Sequence, residues 1–306
     1  MEEAPLLYKA ASKVVFAWWN TSLAPSATSR STQEQRVVAC SVIKYLVEVC
    51  DSDFIALGEM SEEDLASISS MCDFAGYSFY SGITPAGRAQ FDICYLYNNQ
   101  KIFIGGSKDI ISLKGSSTLK IAKKLELKIR GSQAPIHLFL SHWPSRLWCA
   151  ENDADRHVFG IRLRDSIEEV SNEGELQPFI ILLGDYNDDP FDASLSQQVM
   201  ASRDVDLVRR KDYLLYNPFW KYLCKKTSDH QVSGSYFYKA GKVTKWHTFD
   251  QIIFSHAFVN AKEWLLAHDC EHIVEIPMYT DLVKSPGSWF DHLPVYGIIK
   301  KECNDG

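Results

Sequence analysis

Runs of apolar residues cut the chain into short buried stretches, and polar residues close several of them. Residues 13–19 are almost wholly apolar and are followed by Asn20; residues 54–58 lead to Glu59, 136–141 to His142 and 178–184 to Asp185. Continuous runs of this kind read as strands covered on both faces, because half-exposed strands would alternate. Further strands are expected from Tyr77 onward, over 91–97, 101–105, 119–129, 234–239, 248–255 and 293–299. Helices are expected over 33–49, where apolar residues recur at 37, 38, 42, 46 and 49, and over 153–170. Another should run from the capping-box start Ser61-Glu62-Glu63-Asp64 to about Cys72, and a short one from Phe191. The Ser- and Pro-rich stretch after Asn20, the polar segment 203–232 and the segment 277–290 read as loops. No repeat or long linker divides the chain, so one domain over 1–306 is expected, its core about 13–300.

The pattern is densest at 178–190. Ile180-Ile181-Leu182-Leu183-Gly184 runs into Asp185-Tyr186-Asn187-Asp188-Asp189-Pro190. Alternation with period 2 would present Asp185 and Asn187 on one side. A carboxylate beside a carboxamide suits the orientation and deprotonation of a water near a phosphate. The same residue types also form ordinary acidic turns, so the remaining strand ends must decide. Those ends deliver Asn20, Glu59, His142, Asp250, and Asp291 with His292. They lie far apart in sequence and meet only within one compact sheet system. The set is rich in hard oxygen donors and contains no thiolate, which suits Mg²⁺ or Mn²⁺ better than zinc or copper.

Composition narrows the setting. With 306 residues, 46% hydrophobic and 23% charged, the chain can bury a sizeable core. A net charge of -7 argues against a broad cationic face for nucleic acid but leaves room for a local basic rim. No apolar run approaches the ~20 residues of a membrane span, and the acidic start Met1-Glu2-Glu3-Ala4-Pro5 lacks the order of a secretory signal. The eight cysteines are scattered, without a CxxC pair. They read as reduced thiols in a cytoplasmic protein. No protein partner can be deduced.

The residues now carry a resemblance. Gly184-Asp185-Tyr186-Asn187 resembles the GDxN motif of the endonuclease/exonuclease/phosphatase superfamily, whose fold is that of pancreatic deoxyribonuclease. Trp19-Asn20 is similar to its first motif, Gly58-Glu59 to its metal-binding glutamate, and Ser141-His142-Trp143-Pro144-Ser145-Arg146 to the histidine motif of bacterial members. Phe249-Asp250-Gln251-Ile252 resembles the late LDxI motif, and Asp291-His292-Leu293-Pro294-Val295 the terminal SDHxPV. The motifs keep the family's order across nearly the whole chain. Two positions depart: Phe290 stands where the family has serine, and Gly58 where many relatives carry glutamine.

The resemblance implies an α/β fold, a four-layer α-β-β-α sandwich of two mostly antiparallel sheets with the site at one edge. It implies a metal-dependent phosphoester hydrolase, a nuclease cleaving DNA or RNA phosphodiesters. Glu59 would bind Mg²⁺ or Mn²⁺, with Asn20 and Asp291 close by. Asp185 would activate water with Asn187 beside it, His292 would contact the phosphate with its tautomer set by Asp250, and His142 would serve the phosphoryl or leaving oxygen. Arg88, Trp143 and Arg146 are candidate substrate contacts, each weighed against an ordinary surface or packing role. The same holds for the basic clusters Lys120/Lys123/Lys124 and Arg209/Arg210/Lys211; His137 and His247 read as structural. The alternative enzyme is a phosphatase or phosphodiesterase on a small molecule or lipid headgroup. From a different class, a binding module that had lost its chemistry would be expected to lack the glutamate, the GDxN pair or the last histidine, all present here.

Overall fold

The computed structural model describes residues 12–172, 177–224, 232–260 and 263–301. The acidic N-terminal residues 1–5 and Cys303 lie outside them. Two sheets carry the architecture. The first has six strands, in the order Trp264–Ile273, Val295–Lys301, Lys13–Asn20, Phe54–Gly58, Cys94–Asn98, Tyr77–Ser81. The second has seven, in the order Ala201–Ser202, Leu215–Tyr216, Asp250–Ser255, Phe179–Asp185, Ile136–His142, Ser117–Ile129, Ile102–Lys114. Each sheet is mainly antiparallel around a central parallel pair, 13–20 beside 54–58 and 136–142 beside 179–185, and the second adds a short parallel pair at its edge, 201–202 beside 215–216.

Side-chain alternation sorts the buried residues into two cores. Ile181 and Leu183 join Leu138, Leu140, Ile252 and Phe254 in a large cluster shared with Phe16 and Trp18 of the first sheet. Ile180, Leu182, Phe139 and Ile253 point the other way, onto Phe159, Leu163 and Ile167 of the helix Ala154–Asn172. The central strands are thus apolar on both faces because both faces are covered. Helix Gln33–Glu48 contributes Ala39, Val42, Ile43 and Leu46 to the larger cluster, and helix Glu62–Met71 contributes Leu65 and Ile68. Helix, sheet, sheet and helix make the expected four layers.

Several expectations change. Strand 101–105 extends to Lys114 and pairs with 117–129 in a long hairpin turned at Gly115, whose φ is +59°. The added part, beginning at Gly106-Ser107-Lys108-Asp109, was given no element by the sequence because hairpin pairing, not a core, keeps it extended. Strand Trp264–Ile273 went unpredicted: it is a sheet edge with an irregular register between Leu266 and Glu271, so its apolar pattern is broken. The 277–290 loop contains a helix, Pro277–Lys284, and the helix expected from Phe191 is a single turn, Ser194–Gln198. The strand expected over 234–239 shrinks to Tyr236–Phe237. Cys40 and Cys72 are disulfide-bonded between the first two helices, which corrects the reading that all the thiols are reduced. Among the described residues no helix is long and apolar enough to cross a membrane.

Candidate active site

Register builds one half of the site. Asp185 is paired with His142 on one side and with Asp250 on the other, so the three residues form a row across the ends of three strands. They share parity with Leu140, Leu183 and Ile252, which face the first sheet. Gly184 lets the strands approach, since a Cβ there would sit 2.1 Å from the Ser141 carbonyl oxygen. From the opposing sheet come Asn20 and, just past Gly58, Glu59. The final turn adds Asp291 and His292.

Hydrogen bonds lock this set. Asn20 donates from Nδ2 to Asp185 Oδ2 at 3.1 Å and, more weakly, to Glu59 Oε1 at 3.3 Å. Asp185 Oδ1 accepts the Asn187 backbone N–H at 2.9 Å. His292 Nδ1 lies 2.8 Å from Asp250 Oδ2, while its Nε2 faces Asp185 Oδ2 at 3.7 Å. On the opposite flank His142 Nδ1 lies 2.9 Å from Asp92 Oδ2, with Nε2 3.7 Å from Glu59. Two histidine–carboxylate pairs therefore flank Asp185 and Glu59. Glu59, Asn187 and Ser22 all sit in left-handed backbone conformations, with φ of +52°, +51° and +56°. Strain held at such positions needs support. Glu59 obtains it from Ala24 N–H, which donates to its carbonyl at 2.7 Å, and from Thr21 Oγ1–H, shared between the Gly58 and Glu59 carbonyls at 2.9 and 3.1 Å.

Charge follows from burial and neighbours. Burial raises the Asp185 carboxyl, Asp250 adds to it, and His292, His142 and Asn20 pull the other way. Burial pushes Glu59 up to about 7 against the two histidines. Burial also opposes charge on the histidines, but Asp250 with Asp185 holds His292 up at about 10, and Asp92 with Glu59 holds His142 at about 9. The Asp92 carboxyl is buried, yet His142 and Lys120 bring it below the usual range.

The metal question turns on which oxygens remain uncommitted. Asp185, Asp250 and His292 bring donor atoms within 4.8 Å of one another. Both Asp250 oxygens are already engaged, however, Oδ1 by Trp18 Nε1 at 2.8 Å and Oδ2 by His292. Glu59 is different: its polar neighbours stand at 3.3 and 3.7 Å. Among the described residues Asn20 Oδ1 accepts only the Ser22 N–H at 3.0 Å, and Asp291 Oδ1 the Ser22 hydroxyl at 2.9 Å, which leaves a lone pair on Asn20 Oδ1 and the second Asp291 oxygen. The oxygen chemistry of Glu59, Asn20 and Asp291 therefore suits a hard divalent cation.

Other expected residues fall elsewhere. Trp143 is fully buried, donates to the Ile121 carbonyl at 3.0 Å and packs edge-on against Tyr186, so it is core and not a stacking surface. Arg146 donates to Asn187 O at 3.0 Å and to Asp192 Oδ2 at 2.6 Å, which makes it a brace of the acidic turn instead of a substrate clamp. Asn187 leaves the strand face, and its Nδ2 is committed to Trp143 O at 3.0 Å. Lys123 is buried against Asp109 and is structural. His247 pairs with Asp189 at 2.9 Å. Arg88 stays exposed beside a cleft of about 750 Å³ that Glu59, Asp92, Lys120 and His142 also line.

The departures from the motifs acquire reasons. A Cβ on Gly58 would lie 2.9 Å from Trp18 Cζ2, so the Trp18 indole fills the room a larger residue would need. Phe290 packs against Trp19, and Ser22 Oγ now donates to Asp291 Oδ1 at 2.9 Å, supplying the hydroxyl from another loop. Asp92, Trp18 and Ser22 escaped the sequence reading. Asp92 lay inside the expected strand 91–97, although the strand itself begins at Cys94, Ser22 lies in the loop after Asn20, and Trp18 looked like one more apolar residue.

Comparison with known proteins follows the same lines. Residues 33–276 match the model of the Endonuclease/Exonuclease/phosphatase family. No curated protein matches the sequence. Among solved structures, a family protein from Bacteroides thetaiotaomicron is 14% identical with a TM-score of 0.61, covering 97% of each chain. A mannosyl-6-phosphatase from the same organism is 13% identical with a TM-score of 0.60, over 94% of this chain and 99% of that one. D. rerio TDP2 complexed with single strand DNA product is 16% identical with a TM-score of 0.58, over 95% and 100%. At these identities the likeness is one of fold.

Proposed function

The chain belongs to the Endonuclease/Exonuclease/phosphatase family, and from that premise we propose that it is a metal-dependent phosphodiesterase acting on nucleic acid. The observation that carries the reading is the His142–Asp185–Asp250 row, with His292 bound to Asp250 and aimed at Asp185 across 3.7 Å. A Mg²⁺ or Mn²⁺ ion held by Glu59, with Asn20 and Asp291 beside it, would supply charge neutralisation at the phosphate and leaving oxygens.

The protein's own groups have defined tasks. Asp185 has both oxygens positioned, one by Asn20 and one by the Asn187 N–H, and burial makes it a stronger base than a free carboxylate. It takes the proton of the attacking water. Asn187 acts on that carboxylate through its backbone. His292, its Nδ1 fixed on Asp250, presents a protonated Nε2 to a phosphoryl oxygen. His142, charged against Asp92, does the same on the far side or gives its proton to the departing oxygen.

The test is hydrolysis with and without Mg²⁺ or Mn²⁺ on single-stranded DNA, duplex DNA, RNA, bis-p-nitrophenyl phosphate and p-nitrophenyl phosphate. Metal-dependent cleavage of a polymer, lost in Asp185→Asn, is expected. Turnover of the small esters with every polymer intact would replace this reading with a small-molecule phosphatase or phosphodiesterase, the activity class named for the mannosyl-6-phosphatase neighbour.

A further inference from the structure

The loop after His142 ends in two side chains that nothing covers: Leu147 is 86% and Trp148 88% exposed. An exposed tryptophan is uncommon, because its large apolar ring gains by burial. The loop beneath it is nevertheless fixed. Trp148 and Cys149 both donate backbone N–H bonds to Ser145 O, at 3.0 and 3.1 Å. Buried Arg156 donates to Pro144 O at 2.6 Å and to Cys149 O at 2.8 Å, and Arg146 anchors the turn from the other side through Asn187 O. The indole is therefore held out on a braced tip.

Trp148 lines the cleft that holds Glu59 and His142. Arg88 lines the same cleft, at the tip of the small hairpin Pro85–Ala86 and Ala89–Gln90, which Gly87 turns with φ +65°. No hydrogen bond or ion pair engages Arg88 among the described residues, whereas Lys120 deeper in the cleft is tied to Asp92 and to Gln90 O. The cleft thus brings together an aromatic face, an uncommitted guanidinium and the candidate catalytic groups Glu59 and His142. The rest of the lining mixes apolar residues such as Pro25, Ala89 and Pro144 with polar ones such as Ser26, Thr28 and Gln90.

We propose that this cleft is a nucleobase subsite: Trp148 stacks on an unpaired base next to the scissile phosphodiester, and Arg88 takes a neighbouring phosphate. The assignment rests on the phosphodiesterase reading above and extends it to single-stranded substrate. A base within a duplex is already stacked and offers no free face to the indole.

Binding separates the two claims. Asp185→Asn protein in Mg²⁺ is titrated by fluorescence anisotropy with a short labelled oligothymidylate and with the same strand carrying abasic tetrahydrofuran residues. The base-bearing strand should bind about tenfold tighter or more, the size expected of one stacked base. Adding Trp148→Ala should erase that difference, and Trp148→Phe should restore most of it. Adding Arg88→Ala should weaken both strands alike and flatten the salt dependence. Equal affinity for the two strands, or a difference that survives Trp148→Ala, would overturn the subsite. Base-dependent binding by a wild-type protein that cuts no strand would leave the subsite standing and remove the nuclease assignment.

Discussion

Asn20 Nδ2 donates to Asp185 Oδ2 across 3.1 Å, a bond between residues 165 apart in sequence that ties the ends of the two sheets together. The other Asp185 oxygen takes the N–H of Asn187. The carboxylate is therefore held by a side chain from one sheet and by the turn of the other, and any rotation of the sheets would misplace it. In this protein the sandwich itself positions the candidate base.

Asp185→Asn should test that role. The amide keeps an acceptor for the Asn187 N–H but cannot take a proton, and it turns its NH2 toward the Asn20 Nδ2 that the carboxylate accepted, a buried bond lost at ~1–3 kcal/mol. A general base contributes ~10²–10⁴-fold, so kcat should fall by about 10³-fold while circular dichroism keeps the native spectrum and Tm drops by no more than that lost bond explains. A variant that retains full turnover would remove Asp185 from the chemistry.

His142 offers a readout in pH. In the chelator-treated protein its imidazole should hold its proton up to about pH 9, because Asp92 and then Glu59 outweigh burial. The folded pKa lies above the unfolded value of about 6.5. The charge therefore stabilises the fold fully below pH ~6.5, and that contribution is lost as pH rises through 9. Asp92→Asn should lower the imidazole pKa by ~1–3 units, so the stability gap between wild type and variant should narrow across this window. Imidazole NMR and urea denaturation would measure both; the same titration in the two proteins would contradict the pairing.

Much of this was legible in the primary structure because buried strands impose their own punctuation. Continuous apolar runs such as 54–58 and 179–183 could only be central strands, and the polar residue closing each had to face a shared end. The sequence carried less information where function depends on a partner far along the chain. Trp143 and Arg146 sit within the histidine motif and looked like substrate contacts, yet the fold turns one into the second core and the other onto Asp192. Trp148, two residues beyond, carries no motif; only its exposure distinguishes it. Asp92 was hidden because its meaning depends on a histidine 50 residues later.

Arg146→Ala should act on stability before it acts on substrate binding. The guanidinium contacts Asp192 at 2.6 Å and lies 3.7 and 3.8 Å from Asp189 and Asp188. Burial already raises Asp188 to about 6 despite Arg156 and Arg146. Removing one partner of a buried ion pair leaves uncompensated charge and costs ~3–5 kcal/mol; the part-exposed site here places the effect near the lower end. Urea denaturation should show it directly. A wild-type midpoint with only KM raised would return Arg146 to the substrate.

Trp18 and Gly58 should prove coupled, because one side chain does two jobs. The indole N–H holds Asp250 Oδ1 at 2.8 Å, and the ring edge lies where a Cβ on residue 58 would come within 2.9 Å. Gly58→Ala should overpack the site and cost ~1–3 kcal/mol. Trp18→Phe frees that space but leaves a buried carboxylate oxygen without its donor, a loss of ~1–3 kcal/mol. In the double variant the alanine should cost well under 1 kcal/mol, since the atoms it would strike are gone, giving a coupling energy within the ~0.5–3 kcal/mol seen for contacting residues. Catalysis separates the two jobs: Trp18→Phe should lower kcat by loosening the Asp250–His292 pair, and filling the space at residue 58 should not restore it. Strict additivity in the denaturation cycle would mean that the glycine answers to something other than the indole.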